Sequence, residues 1–381
     1  MGKVYYVGHY ADEQNTDVYK FAVPAKAKMD YIIQAMHEAG FSVTVWSLSD
    51  SRHKRICLPK RVVTADGTQI AYIFAVRVSG KITSLLSRML KNLQLLWYIL
   101  RHVQAEDTVM VYHSLAFMKG VSVARRLKKF RLVMDIEELY AHSWGWSAEK
   151  RAQEEHFLER ADGYLLVNDT IANTVQIGEK PSAVVYGAYT VPQKRDVHFD
   201  DDRIHVVYAG TIEETKRGAF TALETAAFLT PRYKMHILGF GRPQTIEKLK
   251  TRVSEINTQL GYTAVSYDGF LQGQPFSDFL MKCRIGISSY IMEADFSNNV
   301  FPSKLLTYVA HDLTVVTGYS EAFARAAVSE NWVYYYEYKP QAIAQAVLQV
   351  DLAHKEQNRD LVCRLHQEFV KELPSVLRGT V

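Results

Sequence analysis

The chain has 381 residues, 48% of them hydrophobic and 23% charged, with 45 Lys and Arg against 41 Asp and Glu for a formal charge of +4. That length suggests two domains, the apolar content argues against intrinsic disorder, and so slight a positive excess does not by itself imply a dedicated nucleic-acid binder. Cys57, Cys283 and Cys363 lie far apart with no CxxC pair, which argues against a zinc site or disulfide framework and for a reducing, cytoplasmic setting.

In chain order, Val4–Val7 is the first predicted strand, in place of a signal peptide. Pro24 to Ala39 is predicted as a helix, with Met29, Ile32, Ile33 and Met36 at helical spacing and Gly40 as its stop. Strands are expected at Ser42–Trp46, Gln69–Val76, Thr108–Tyr112, Arg131–Met134, Tyr164–Val167 and Ala183–Tyr186, with helices between most of them. The stretch TVPQKRDVHFDDD is polar and without periodicity, and reads as a linker over 191–202. Alternation then resumes, with strands at Ile204–Tyr208, Lys234–Leu238, Ala264–Tyr267, Ile285–Ser288 and Thr314–Thr317. Helices are expected at Ala219–Phe228, Thr245–Leu260, Pro275–Met281 and Ser303–Ala310. The fold class is α/β: two doubly wound, Rossmann-like domains, 1–190 and 203–350, facing a cleft. A helical segment, 351–381, is expected to pack back on the first domain.

Chemistry-bearing residues gather at predicted strand ends. The segment GTIEETKRG begins with Gly210 and Thr211 after a strand and sets Lys216 and Arg217 before a helix. A helix N-terminus with a basic side chain is a phosphate site; a solvated charged turn reads the same way. The LGFG run ending in Gly241 is a GxG fragment without the third glycine of a dinucleotide fingerprint, so NAD binding is not supported. In NNVFPSKLLTYVAHDLTVVTG, Pro302 suits a first helical turn, Lys304 offers countercharge, and Asn298 and Asn299 are placed to bond sugar hydroxyls. An ordinary capped αβ unit is the bland alternative. His113 closes a strand, Glu138 follows the next one as a hydroxyl-orienting carboxylate or a helix cap, and Gly8 follows the first.

These motifs resemble those of retaining glycosyltransferases of family 4, which have the GT-B fold. VFPSKLLTYVAHDLTVVTG is similar to their P-S-K-L-L-E-Y signature, HILGFG to their h-x-h-x-G-x-G strand, SYDGF, ending at Phe270, to their V-x-h-x-G element, and ERADGYLLVND to their ADxxhxV segment. The resemblance implies a UDP- or GDP-sugar donor as substrate, no bound cofactor or metal, and a saccharide or lipid-linked acceptor. It implies a role in bacterial capsule, exopolysaccharide or lipopolysaccharide synthesis. Arg217 matches the basic residue on the donor diphosphate, and Thr211 stands where many members carry a second one. The paired glutamates of the family fall at Asn299 and Thr307, and His113 falls where a histidine contacts the donor sugar. By the same likeness Val300, Phe301 and Ser303 join the donor-binding set. The absent glutamates keep a second reading open, a non-catalytic partner subunit. A nucleotide-sugar epimerase of the same fold is a third.

One segment belongs to none of these motifs. Across SGKITSLLSRMLKNLQLLWYILRH, Ile82, Leu85, Leu86, Met89, Leu93, Leu96, Trp97 and Leu100 keep helical spacing, and Lys81, Arg88, Lys91 and Arg101 decorate the helix with no acid inside. From Lys81 to Arg131 the acids are Glu106 and Asp107 against ten Lys and Arg. Residues 79–131 are therefore expected to meet anionic lipid as a peripheral surface on the inner face of the cytoplasmic membrane. A core helix with a solvated basic side fits the same pattern.

Overall fold

Runs of apolar residues four to seven long become strands, and the amphipathic segments between them become the helices that cover the sheets. The computed structural model describes residues 2–143, 145–215, 217–289, 300–352 and 358–379. The chain divides into one unit of Met1–Ala188 with His366–Val381 and another of Tyr189–Leu365.

The first unit contains β1 (Gly2–Gly8), β2 (Phe41–Ser47), β3 (Ile56–Cys57), β4 (Lys60–Val63), β5 (Gln69–Tyr72), β6 (Ala75–Val76), β7 (Thr108–Tyr112), β8 (Arg131–Ile136), β9 (Gly163–Leu166) and β10 (Ser182–Val184). Eight of them form one sheet in the order β10-β9-β8-β7-β1-β2-β5-β4, and β3 pairs with β6. The large sheet is parallel except where β4 runs against β5, with Val4 opposite both Val43 and Thr108. Residues Val4 to Val7 are all buried, as expected of an inner strand covered on both faces. The helix Val23–Glu38 packs Met29, Ile32, Ile33 and Met36 inward, and the chain leaves it through Gly40 at φ +81°.

The expected single strand over Gln69–Val76 is broken in two. The side-chain amide of Gln94 takes both backbone groups of Phe74, accepting from its N–H at 2.9 Å and donating to its carbonyl at 3.0 Å. With those groups satisfied, β5 stays in the main sheet and β6 turns away to β3.

The second unit contains β11 (Ile204–Ala209), β12 (Tyr233–Leu238), β13 (Val265–Gly269), β14 (Ile285–Ser288), β15 (Thr314–Gly318) and β16 (Val333–Tyr335). They form one sheet in the order β13-β12-β11-β14-β15-β16, parallel throughout. Its core joins Val206, Met235, Ile237, Leu249, Ile256 and Ile343. Residues 189–202 hold neither helix nor strand. They are not a free tether, because the Phe199 ring stacks on His205 at 3.9 Å and on His236 at 4.9 Å. The last helix, Asn358–Arg378, contributes its residues from His366 onward to the first unit, where the Thr108 hydroxyl donates to the Leu377 carbonyl at 2.7 Å.

Candidate functional site

Strand order in the second sheet reverses direction between β11 and β14, the place where open parallel sheets bind ligands at their C-terminal edge. The two strands share only the register pairs Val206–Ile285 and Val207–Gly286 before they part. Tyr308 fills the opening. Its hydroxyl accepts from the Ala209 N–H at 2.8 Å and donates to the Ile287 carbonyl at 3.2 Å. Gly286 makes room for the Tyr308 ring, since a Cβ there would collide with it.

Two helices begin at this edge. Helix Gly218–Thr225 starts beside β11, and helix Ser303–Ala310 starts after Pro302, whose side chain offers no cap. A Cβ on Gly218 would stand 2.7 Å from the Ser289 carbonyl and 2.8 Å from the Tyr208 hydroxyl, so only glycine lets this helix start so close to the sheet. Ser289 is buried and donates its hydroxyl to the Gly218 carbonyl at 2.6 Å. Before that helix, Arg217 is exposed with φ +52°, a left-handed conformation that costs about 1–2 kcal/mol for an L-residue.

Lys304, in the first turn of the second helix, lies with Nζ 4.1 Å from the centre of the Tyr208 ring. The same ammonium is 3.0 Å from where a Cβ on Gly210 would be, so Gly210 leaves the space the lysine enters. The loops after β11 and β12 are tied together by the bridge Ile212–Gly241 and by the Gly210 N–H donating to the Leu238 carbonyl at 3.0 Å. Gly239, at φ +151°, packs its α-carbon onto the Gly210 carbonyl with no room for a side chain. Thr211 is exposed. Phe270 is 51% exposed and meets the 55% exposed Phe240 edge-on at 5.0 Å. The result is a shallow, glycine-walled edge with two helix N-termini and a lysine, suited to an anion such as a diphosphate.

The other expected donor residues differ in exposure. Phe301 is buried, with its ring 5.6 Å from Phe323 and 6.1 Å from Trp332, so its side chain anchors the helix from below. Thr307 turns its hydroxyl back to the Ser303 carbonyl at 3.0 Å. Val300 is half-buried and Ser303 exposed. Lys216, Asn298 and Asn299 lie outside the described residues.

In the first unit, Gly8 ends β1, where a Cβ would stand 2.8 Å from the Met29 methyl. His113 ends β7 and is fully buried. Its Nε2 lies 2.9 Å from Glu154, and its ring stacks on Tyr140 at 5.1 Å. Burial pushes the His113 imidazole down to about 3, so the ring is neutral and donates Nε2–H to the carboxylate. Glu154 also accepts from the N–H groups of Tyr140 at 3.0 Å and Ala141 at 2.8 Å. Glu154 thus holds His113 through Nε2, while the His113 Nδ1 is buried with no hydrogen-bond partner among the described residues; Glu138, on the neighbouring loop, is half-buried. In the same region Asp135 is fully buried, with the Tyr6 hydroxyl donating to it. Burial first, then the neighbouring Glu137 charge, raises its carboxyl well above the usual range.

Sequence reasoning missed Tyr208, Ser289, Tyr308 and Glu154. The first three sit in or beside apolar strand and helix patterns, and Glu154 sits in a charged helical run that reads as a solvated face. Among the described residues, no group of three or more His, Cys, Asp or Glu is placed to hold a metal ion.

No protein-family model matches the sequence, and no curated protein matches it either. Solved structures do. The E. coli trehalose-6-phosphate protein bound with UDP-2-fluoro glucose aligns over 100% of both chains, with a TM-score of 0.69 at 12% identity. A UDP-forming trehalose-phosphate synthase from Burkholderia xenovorans aligns over 100% of both chains, with a TM-score of 0.66 at 11% identity. A sucrose-phosphate synthase from Thermosynechococcus elongatus aligns over 98% of this chain and 95% of its own, with a TM-score of 0.62 at 13% identity. The chain has the GT-B fold. The switch-point edge built by Gly210, Gly218, Lys304 and Tyr308 belongs to the second of the two doubly wound units of this GT-B chain.

Proposed function

We propose that the protein is a retaining glycosyltransferase that moves a sugar from a UDP- or GDP-linked donor to a saccharide or lipid-linked acceptor. We place it in the assembly of a bacterial capsule, exopolysaccharide or lipopolysaccharide, and a lipid-linked acceptor would hold it at the cytoplasmic face of a membrane. The observation that carries this reading is the pair of helix N-termini with Lys304 folded over Gly210 at the switch point of the second sheet. The motif resemblance, the shared fold and the UDP-sugar analogue bound to the E. coli protein support it.

The donor diphosphate lies on this edge. Its oxygens accept from the backbone N–H groups that open the two helices, with Lys304, Arg217 and Lys216 supplying countercharge. Gly210, Thr211, Gly241 and Phe270 border the nucleotide, and Asn298, Asn299, Ser303 and Thr307 border the ribose and sugar. As the acceptor hydroxyl attacks the anomeric carbon, the bond from that carbon to the β-phosphate oxygen breaks. The acceptor proton passes to the departing phosphate on the same face. Positive groups already in place at the phosphates stabilise the charge that develops there. Gly8 keeps its loop close to β1. By the motif resemblance Glu138 orients sugar hydroxyls and His113, held through Nε2 by Glu154, offers its unpartnered Nδ1 to a donor-sugar hydroxyl.

Calorimetric titration with UDP, GDP, CMP and ADP tests the donor site. Arg217→Ala and Lys304→Ala should each weaken the favoured diphosphate by about 1.5–3 kcal/mol, the scale of a charge-assisted hydrogen bond. A folded protein that binds none of the four sinks the donor assignment. One observation favours the non-catalytic alternative: the Thr307 hydroxyl is already committed to its own helix. Nucleotide binding without transfer, across a panel of donors and acceptors, would support that reading.

A further inference from the structure

The helix Lys81–His102 is mounted in the opposite sense to an ordinary amphipathic helix. Its inward side carries Ser87, Lys91, Leu95 and Ile99. Lys91 is only 7% exposed, and its ammonium stands 2.8 Å from Asp50, which also accepts from the Ser87 hydroxyl. A lysine thus occupies a position where such a helix normally buries an apolar side chain.

The apolar stripe faces out. Ile82 is 85% exposed, Leu93 61% and Trp97 57%, and Leu85, Leu86 and Met89 are exposed beside them. At about 100° per residue these side chains fall within an arc of about 120°, centred opposite Lys91, with no polar residue inside it. The helix Met118–Leu127 packs alongside, with the Asn92 side chain accepting from the Gly120 N–H at 2.6 Å, and it exposes Val123 and Leu127 in turn. A continuous apolar face of this kind on a folded domain marks a binding surface.

Charge selects the occupant. Lys81, Arg88, Arg101, Lys119, Arg126 and Lys129 are exposed around the two helices, and among the described residues none of them pairs with a carboxylate. Glu106 is the exposed acid of the whole stretch, because Asp107 is buried. An apolar arc with a Trp near its edge and a cationic rim fits the boundary between acyl chains and anionic headgroups. Among the described residues no helix is long and apolar enough to cross a membrane, so the face would lie on the bilayer. We propose that the outward face of helix Lys81–His102 docks the first unit onto an anionic lipid surface.

Vesicle binding needs neither donor nor acceptor, so this proposal stands or falls apart from the transferase reading. The test is flotation of the full chain with vesicles of phosphatidylcholine alone and of phosphatidylcholine with phosphatidylglycerol. The wild type should float with the anionic vesicles and lose binding as salt rises. Arg88→Gln and Lys119→Gln should each weaken partition roughly fivefold. Leu93→Glu combined with Trp97→Glu should weaken it at least about tenfold, and an unchanged urea profile would show the variant folded. Trp97→Phe should remove a blue shift of tryptophan emission on vesicle addition. Wild-type protein that stays unbound at low salt, or a folded double variant that floats as well as wild type, overturns the proposal. A concentration-dependent dimer that Leu93→Glu abolishes, without flotation of the wild type, also overturns it and assigns the face to a second copy.

Discussion

Tyr308→Phe isolates the element that opens the second sheet. The ring would keep its seat against Gly286, but the hydroxyl that bridges the Ala209 N–H and the Ile287 carbonyl would be gone. Tyr308 is fully buried, so no solvent reaches the two backbone groups as the ring stands. A buried backbone group left without a partner costs about 1–3 kcal/mol, and two of them at one point predict a loss of about 2–6 kcal/mol. The chain has two units, so urea unfolding should be followed with probes in each and not fitted to one transition. The loss is expected in the transition of the second unit alone, with weaker nucleotide-diphosphate binding, because the β11 and β14 ends that border the proposed phosphate edge lose the hydroxyl that ties them. Tyr262→Phe is the control: its hydroxyl reaches the Leu229 carbonyl at only 3.4 Å and should matter little. A Tyr308→Phe protein within about 0.5 kcal/mol of wild type would show that the strand ends need no bridge, and the account of the crevice would fail.

Three other outcomes are expected. Gly239→Ala forces a side chain into the Gly210 carbonyl at a backbone angle that L-residues avoid; nucleotide binding should be lost while the far-ultraviolet circular dichroism is kept, and unchanged affinity would remove the loop after β12 from the site. Asp50→Asn leaves Lys91 buried without its counter-ion, and should destabilise the first unit by roughly 3 kcal/mol, the low end for a broken buried pair because Asp50 keeps some exposure; a loss under about 1 kcal/mol would mean that Lys91 escapes to solvent. The His113 imidazole is lowered in the folded state, so its contribution is complete above the unfolded value of about 6.5 and falls away as pH drops toward 3. Asp135 and Glu154, both raised by burial, act in the opposite direction, so the readout is the stability difference between wild type and His113→Gln. That difference should shrink by about 2 kcal/mol between pH 7 and pH 5, and a flat difference would show that His113 protonates freely in the folded chain.

The sheet strands were legible because a strand covered on both faces must be apolar along its whole length, as VYYV and TVMVY are. The edge strands β4 and β16 were not. KRVV at β4 and VYY at β16 carry no such run, and Gln69–Val76 was divided by a glutamine from a helix that sequence proximity does not connect to it. The same distinction runs through the site. Glycines at strand ends and a proline opening a helix are local signals, so Gly210, Gly241 and the Ser303 turn could be placed from sequence. Tyr308 acts on residue 209 from the far side of β14, and Glu154 acts on a histidine at the end of β7; neither partnership leaves a periodic trace.

The helix Lys81–His102 shows the limit most sharply. Periodicity reveals that a helix has two unlike faces, but not which of them is inside. The apolar count alone favours burying the stripe, at roughly 1.5–3 kcal/mol for each large side chain covered. Against that stands Asp50, just beyond β2 and partly buried, which takes both the Lys91 ammonium and the Ser87 hydroxyl. Turning the stripe inward would strand that carboxylate and swing Lys91 to solvent. It would also take Gln94 from the Phe74 backbone and Asn92 from Gly120. Four polar partnerships on one side of the helix thus fix its rotation. An apolar stripe held outward at that cost is what the proposed lipid surface would cover, and the cationic rim is why that surface is proposed to be anionic.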